Sequence, residues 1–179
     1  QKRYTMDPPL WLSVNVSAAQ FTEFDLDEQV QDILEDTDLT PEQLSLELPE
    51  HAIVDHRDAV TETVRRLKNL GVRLSLDNFG TGASSFTHLH KLPYDRMKID
   101  RSVIGRLGSA GSRDVVQAAI GLAHNLSMEV VAEGVESPNQ AAQLGKLWCE
   151  YAQGYLFSKP LEADAAGAMI ASHPRWWSS

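Results

Sequence analysis

Six polar residues lie within or directly after apolar runs of this sequence, one residue in each run. They are Asn15, Glu47, Asp77, Lys98, Glu133 and Gln153. Carboxylate and amide oxygens dominate this set, and no histidine or cysteine pair has the spacing of a zinc site. The residue types therefore favour Mg²⁺ or Mn²⁺ over Zn²⁺. One buried acid would be an oddity, but six such residues in succession indicate a shared site.

The stretch around Asp77 shows the pattern most clearly. Residues 72–76 alternate between apolar and polar side chains, run into Asp77 and continue as Asn-Phe-Gly-Thr-Gly. This predicts a strand that ends in a carboxylate and opens into a tight loop. A charge at the end of a buried strand is costly unless something there requires it. The alternative is that Asp77 only caps the following turn through its side chain.

The periodicity of the sequence predicts six short strands alternating with helices. The strands are expected over residues 10–16, 44–48, 72–77, 94–100, 129–132 and 151–157. The helices are expected over residues 26–34, 57–70, 113–126, 138–147 and 161–171, with a short helix or turn over 84–92. Alternating strands and helices favour a parallel sheet, and the first strand is expected to be buried. Barrel enzymes place their chemistry at the carboxyl ends of such strands.

Composition limits the function further. The chain has 179 residues, 42% of them hydrophobic, which fits one globular domain. Its net charge of −9 argues against a general nucleic-acid binder but not against a small phosphate ligand held through metal ions. Cys149 is the single cysteine, which excludes an internal disulfide. No apolar run approaches the ~18 residues of a spanning helix, so we expect a soluble chain.

Six short motifs follow one another along the chain. They are Val14-Asn15-Val16-Ser17, Glu47-Leu48-Pro49-Glu50, Asp77-Asn78-Phe79-Gly80-Thr81-Gly82, Lys98-Ile99-Asp100, Ala132-Glu133-Gly134-Val135-Glu136 and Gln153-Gly154-Tyr155-Leu156-Phe157-Ser158-Lys159-Pro160. In order and content they resemble the EAL domain of bacterial cyclic-di-GMP phosphodiesterases, over essentially the whole chain. The resemblance implies an α/β fold, a TIM-like (β/α)₈ barrel with one antiparallel strand.

The resemblance also implies roles for individual residues. The metal ligands would be Asn15, Glu47, Asp77, Asn78 and Glu133. The catalytic residues would be Lys98, Glu133 and Gln153, with Lys98 and Gln153 beside the attacking water. Glu50 and Glu136 would stabilise loops, and Asp100, Phe157 and Pro160 would contact the substrate. Two Mg²⁺ or Mn²⁺ ions per complete site would activate water against a phosphodiester and give the linear pGpG. The identity of the general base stays open.

Two departures from the family pattern affect this interpretation. The Glu-Ala-Leu motif that names the family is absent, and in the family it lies on a strand before residues 10–16. We therefore expect residues 1–179 to form a single EAL domain that is incomplete at its N-terminus, with about six of eight strands. The chain alone is expected to be inactive. The second departure is Asn78, which stands where the family has an aspartate, so the second metal is expected to bind more weakly.

Two functions of different class remain open. The first is a cyclic-di-GMP phosphodiesterase in bacterial second-messenger signalling, favoured by the six polar residues. The second is a degenerate EAL domain that acts as a non-catalytic cyclic-di-GMP receptor or protein-interaction module, favoured by Asn78 and the missing glutamate. The expected partners are cyclic-di-GMP, a second copy in a homodimer, and a sensory or GGDEF-type domain in a longer parent. The expected location is the cytoplasm, with a membrane anchor elsewhere in the parent left open.

Overall fold

A computed structural model describes residues 10–21, 25–49, 57–81, 89, 92–108 and 111–172. Its centre is a parallel sheet of six strands. They are β1 (Leu12–Asn15), β2 (Leu44–Pro49), β3 (Arg73–Phe79), β4 (Arg96–Ile99), β5 (Glu129–Ala132) and β6 (Tyr151–Ala152). The strands stand in chain order from β1 to β6, and each pairs with the next along the chain. The predicted α/β fold with six parallel strands is confirmed.

Helices connect the strands. They are α1 (Ala18–Phe21), α2 (Leu26–Thr37), a 3₁₀ turn (Pro41–Gln43), α3 (Arg57–Asn69), α4 (Arg101–Ile104), α5 (Ser112–Asn125), α6 (Pro138–Lys146) and α7 (Ala163–Ala171). The start of α6 shows how the sequence sets a boundary, because Ser137 and Gln140 form a capping box around Pro138. Most of the segment expected over 84–92 lies outside the described residues, as does Glu50. Within the described residues, no helix has the length and apolar character needed to cross a membrane.

The core lies between the sheet and its helices. Side chains alternate between the two faces of each strand, so Leu74 and Leu76 of β3 face one way while Ser75 and Asp77 face the other. The leucines are fully buried in one cluster with Val64 of α3 and the apolar residues of the other strands. The opposite face of the sheet carries serines and charged residues. This face is the interior of the barrel-like curve and supplies the candidate site.

At the amino-terminal end of the strands, the barrel interior is filled by an arginine between two aromatic rings. The side chain of Arg96 is fully buried, and its Nε donates to Oε2 of Glu129 at 2.9 Å. Its Cζ lies 3.8 Å from the ring centroid of Trp11 and 5.1 Å from that of Tyr151. The two rings meet edge to face at 5.8 Å. Because Trp11 precedes β1 and Tyr151 begins β6, the first and last strands approach each other and the sheet curls.

The structure corrects two expectations about the strands. The first strand is exposed rather than buried, with Leu12 53% and Val14 39% exposed, because β1 is at the end of the sheet. The sixth strand ends at Ala152 rather than at Phe157. After it the chain turns, and the amide of Phe157 donates back to the carbonyl of Gly154 at 3.0 Å. Gln153 and Gly154 therefore lie in a loop after β6.

Candidate active site

Four charged side chains meet at the carboxyl-terminal edge of the sheet. Nζ of Lys98 lies 2.5 Å from Oε2 of Glu47, 2.8 Å from Oε1 of Glu133 and 3.4 Å from Oδ1 of Asp77. The exposed fraction of these four side chains is between 5% and 15%. One lysine thus holds three carboxylates that come from three different places in the sequence. We call this group the Lys98 cluster.

The strand register explains why these residues meet. Glu47, Asp77 and Lys98 lie on β2, β3 and β4, and Glu133 directly follows β5. Because the strands are parallel and adjacent, their carboxyl ends come to one edge of the sheet. Glu47, Asp77 and Lys98 stand on the interior face of their strands, the opposite face from their buried neighbours Leu48, Leu76 and Ile99. The structure brings Glu47, Asp77 and Glu133 together around Lys98, while the metal-binding role that the sequence analysis gave to these carboxylates stays a prediction.

The cluster carries more negative than positive charge. Three carboxylates face one ammonium group, a sum of −2 when all four are ionised. Burial alone would lower the pKa of Lys98, but hydrogen bonds to Glu133 and Glu47 outweigh it and raise that pKa above its ordinary value. Burial also raises the pKa of Glu133; Lys98 opposes this rise, and the charges of Asp77 and Glu47 add to it. The site therefore keeps a net negative charge, which favours the binding of a further cation.

Two amide side chains contact the carboxylates of the cluster. Nε2 of Gln153 donates to Oε1 of Glu133 at 2.6 Å, and Nδ2 of Asn78 donates to Oδ2 of Asp77 at 2.7 Å. The third predicted amide, Asn15, ends β1 beside Glu47 in the strand register and is exposed. The two donors hold their carboxylates in place. For Asn78 and Asn15 the role of metal ligand stays a prediction.

The sequence interpretation missed one contact of the cluster. The hydroxyl of Ser13 donates a short hydrogen bond to Oε1 of Glu47. Ser13 stands two residues before Asn15 on β1 and thus on the same face of the strand, which is the signal that could have identified it. Beside it, the buried hydroxyls of Ser45 and Ser75 bond to each other at 2.9 Å. Hydroxyls therefore lie in the barrel interior beneath the carboxylates.

An open pocket of about 650 Å³ lies against the cluster. Its lining includes the predicted site residues Asn78, Asp100, Glu133, Glu136, Gln153 and Pro160. The predicted substrate contact Phe157 instead lines a separate cavity of about 380 Å³ with Trp11 and Tyr151. The larger pocket can admit a ligand to the exposed side of Glu133.

Asp100 connects this pocket to the fold as the N-cap of α4. Its Oδ1 accepts a hydrogen bond from the backbone amide of Ser102 at 2.7 Å. Burial acts to raise the pKa of Asp100, but the hydrogen bonds from Ser102 outweigh it and lower that pKa. Asp100 is therefore an ionised carboxylate at the pocket wall as well as a helix cap.

Two glycines allow the loops after β5 and β6 to close around the pocket. Gly134 has a φ of 68°, and a Cβ there would stand 2.5 Å from Cβ of Arg101. At Gly154 a Cβ would stand 2.3 Å from the backbone nitrogen of Val135. No side chain fits at either position without displacing the backbone. These close approaches put Glu133 and Gln153 side by side.

The donor set fits a hard divalent cation. Within the described part of the chain, no three histidine, cysteine, aspartate or glutamate side chains are grouped as a ready metal cage. The carboxylates of Glu47, Asp77 and Glu133 close on the ammonium of Lys98 instead. Their oxygens are the ligands that Mg²⁺ and Mn²⁺ prefer, and their excess negative charge is what a dication would neutralise.

Comparison with known proteins identifies the family. The EAL domain model matches residues 1–160. The chain belongs to the EAL domain family. Its relatives include the cyclic di-GMP phosphodiesterase NbdA of Pseudomonas aeruginosa, which is 42% identical over 165 residues. That match covers 92% of this chain and 21% of NbdA. The chain spans about a fifth of the length of the first curated relatives it matches.

Solved structures of EAL proteins have the same architecture. The cyclic-di-GMP complex of the PaMucR phosphodiesterase superposes with a TM-score of 0.81 at 36% identity, covering 87% of this chain and 64% of that one. The manganese and cyclic-di-GMP complex of BlrP1 from Klebsiella pneumoniae superposes with a TM-score of 0.78 at 26% identity, covering 84% of this chain and 39% of that one. The six parallel strands therefore form part of the TIM-like barrel of the EAL family.

Proposed function

We propose that residues 1–179 belong to one EAL domain that hydrolyses cyclic-di-GMP to pGpG with Mg²⁺ or Mn²⁺. The observation that carries this proposal is the Lys98 cluster, in which three carboxylates from three strand ends converge beside a pocket of about 650 Å³. NbdA is a cyclic di-GMP phosphodiesterase, and BlrP1 has been solved with manganese and cyclic-di-GMP, which supports the same substrate and metal class here.

The residues of the cluster would divide the work of a phosphodiester hydrolase. Glu47, Asp77 and Glu133 would hold the metal ions, with Asn15 and Asn78 supplying further oxygens. Bound there, two ions would lower the pKa of a water and neutralise the charge that develops on the phosphate. Lys98 would place its ammonium group near the attacking water, since its Nζ already stands between the three carboxylates. Gln153 would orient Glu133 through their 2.6 Å hydrogen bond.

The pocket wall would bind and orient the substrate. Asp100 and Pro160 line it with the cluster, and Glu136 lies at its exposed side. Glu50 retains its expected role in loop stabilisation as part of the proposal. Phe157 lines the neighbouring cavity, which shares Gln153 with this pocket, and would contact the part of a substrate that extends there. We propose two further partners. One is a sensory or GGDEF-type domain in a longer parent, and the other is a second copy of the EAL domain. A cytoplasmic location completes the proposal.

The test is turnover of cyclic-di-GMP by the full-length natural protein that contains this chain, which we call the full-length protein. Wild type with Mn²⁺ is expected to form pGpG, and Glu133→Gln is expected to reduce the rate at least a hundredfold because the cluster loses a charge. Glu28→Gln, the same change on the exposed face of α2, is the control and should leave the rate unchanged. Full turnover by Glu133→Gln would contradict the proposal.

A second candidate is a non-catalytic cyclic-di-GMP receptor. Asn78 favours it, because the amide brings no negative charge to the site and its nitrogen, not its oxygen, faces Asp77. Equilibrium dialysis against cyclic-di-GMP with Mn²⁺, followed by chromatography of the bound nucleotide, separates the two functions. Recovery of intact cyclic-di-GMP from a protein that binds it tightly would establish the receptor, and recovery of pGpG would establish the phosphodiesterase.

A further inference from the structure

Both carboxylate oxygens of Glu47 are engaged by side chains from other strands. Lys98 of β4 donates to Oε2 at 2.5 Å, and Ser13 of β1 donates to Oε1. Glu47 itself is 4% exposed, so water contributes little to its environment. With a donor on each oxygen, rotation of the carboxyl group is blocked. The plane of the Glu47 carboxylate is therefore set by two residues that lie on either side of β2.

The contact with Ser13 is directed rather than incidental. In the strand register Ser13 stands opposite Ser45, and the residue opposite Glu47 is Asn15. The Ser13 hydroxyl thus reaches diagonally toward the carboxyl edge, two positions beyond its register partner Ser45. Ser45 is itself occupied by Ser75 on the other side. A hydroxyl that donates to a carboxylate forms a charge-assisted bond, stronger than the one between two neutral hydroxyls.

Loss of Lys98 and loss of Ser13 would affect Glu47 differently. When a cation enters the cluster it must share or replace the ammonium of Lys98, because Lys98 now occupies the space between the three carboxylates. The hydrogen bond from Ser13 is outside that space and can persist while Oε2 is released. Ser13 is then the contact that keeps Glu47 oriented at the moment its other oxygen changes partner.

We propose that Ser13 is a positioning residue for the metal site, which holds Glu47 in the orientation that receives a divalent cation. This inference rests on the proposed function, because it assigns Glu47 to the metal. It gives β1, the exposed first strand, a direct part in the site. A positioned ligand loses less rotational freedom when the cation binds, so the hydroxyl is expected to raise affinity without touching the metal.

The experiment measures Mn²⁺ affinity by isothermal titration calorimetry on the full-length protein, with the Mn²⁺ dependence of turnover as a second readout. Ser13→Ala is expected to weaken Mn²⁺ binding about tenfold to a hundredfold, the loss typical when a metal-binding carboxylate loses a hydrogen-bond partner. At saturating Mn²⁺ most of the turnover should return. Ser13→Thr keeps the hydroxyl on a strand-compatible residue and is expected to bind Mn²⁺ like wild type.

Ser45→Ala is the matched control, since it removes a hydroxyl from the same layer that bonds to Ser75 rather than to a carboxylate among the described residues. It should lower the melting temperature slightly and leave Mn²⁺ affinity unchanged. Equal affinities for Ser13→Ala and Ser45→Ala would overturn the inference, as would a folded Ser13→Thr that binds as weakly as Ser13→Ala. Glu47→Gln separates this failure from failure of the proposed function. If Glu47→Gln binds Mn²⁺ as tightly as wild type, Glu47 is not a metal ligand, and both the proposed function and the role of Ser13 are wrong. If Glu47→Gln weakens Mn²⁺ binding, the affinity of Ser13→Ala alone decides the role of Ser13.

Discussion

The side-chain nitrogen of Asn78 lies 2.7 Å from Oδ2 of Asp77, while the backbone of the same asparagine forms a turn. Its φ of 59° is in the left-handed region, and its carbonyl accepts from both the amide and the hydroxyl of Thr81. Asparagine is one of the few residues other than glycine that adopts this conformation readily. Asn78 therefore serves the turn and the site together.

Asn78→Asp is expected to tighten metal binding in the full-length protein. The change places a second carboxylate against Asp77, which repels it until a dication neutralises both. A unit charge a few ångströms from a dication is worth about 1 to 4 kcal/mol, roughly fivefold to several hundredfold in affinity. Titrating turnover with Mn²⁺ measures the shift. Asn69→Asp at the end of α3, on the far side of the sheet, is the control. Superimposable titrations for Asn78→Asp and wild type would mean that Asn78 is only a turn residue.

Lys98→Ala is expected to abolish hydrolysis without weakening Mn²⁺ binding. Lys98 is paired with the carboxylates that a metal ion would use. Its removal leaves those carboxylates available to the metal and takes away the positive charge beside the attacking water. Turnover and calorimetric Mn²⁺ titration on the same preparation measure both effects. Lys68→Ala, which breaks an ion pair with Asp95, is the control. Surviving activity, or loss of Mn²⁺ binding, would disprove the role assigned to Lys98.

Trp148→Gly is expected to stabilise the protein. Trp148 follows α6 with a φ of 63°, and the residue is 81% exposed, so it has backbone strain with little burial to offset it. The left-handed conformation disfavours a residue with a Cβ by about 1 kcal/mol, which glycine avoids. Thermal unfolding should show a rise of about 2–4 °C. Trp148→Ala keeps the strain and should show no such rise; equal effects of the two substitutions would exclude backbone strain as the cause.

Cys149 is expected to resist thiol reagents in the folded state. Burial raises the pKa of its thiol to about 11 from an ordinary 9.0, and the thiol donates to the carbonyl of Tyr151 at 3.2 Å. At pH 8 labelling by a disulfide reagent should be slow in buffer and fast in urea. Because the folded state keeps the proton longer, stability should fall as the pH rises from 9 to 11, and Cys149→Ala should lessen that fall. Rapid labelling of native protein would contradict the burial of the thiol.

The 179-residue chain by itself is expected to associate through β1. Leu12 and Val14 are exposed on a strand at the end of the sheet, and unpaired strand edges recruit other strands. Light scattering after size-exclusion chromatography should show mass above that of the monomer. Val14→Lys should reduce it, whereas Val115→Lys on the exposed face of α5 should not. A monomer with a cooperative melt would count against this expectation.

The sequence was sufficient for the strand count and for the convergence of the Lys98 cluster. Alternating apolar residues mark which side chains share a face, and parallel strands bring their ends together, so Glu47 and Asp77 could be placed without coordinates. The end of β6 could not, because Tyr155, Leu156 and Phe157 are residues that favour strands. The close approach of Gly154 to Val135 ends the strand, and that contact is set by the tertiary fold.

Other contacts could not be predicted from the sequence pattern, because they depend on distances between strands. Ser13 reads as an ordinary polar residue of a strand, and only the diagonal offset between β1 and β2 brings it to Glu47. The exposure of β1 was also missed, because Leu12 and Val14 have the alternation of a half-buried strand. Their burial depends on which element packs against the strand. Hydrophobic periodicity shows which side chains favour burial but does not show whether another element covers them.

The chain-order arrangement of the sheet has a consequence for how the protein is made. Each strand pairs with the one before it, so every new strand–helix unit that leaves the ribosome finds its docking edge already formed. Folding can thus proceed in step with synthesis, from β1 toward β6. In that order the contact of Tyr151 with Trp11 and Arg96 would form after the pairing of β1 to β5. Curvature of the nascent sheet would therefore be fixed only when the sixth strand emerges.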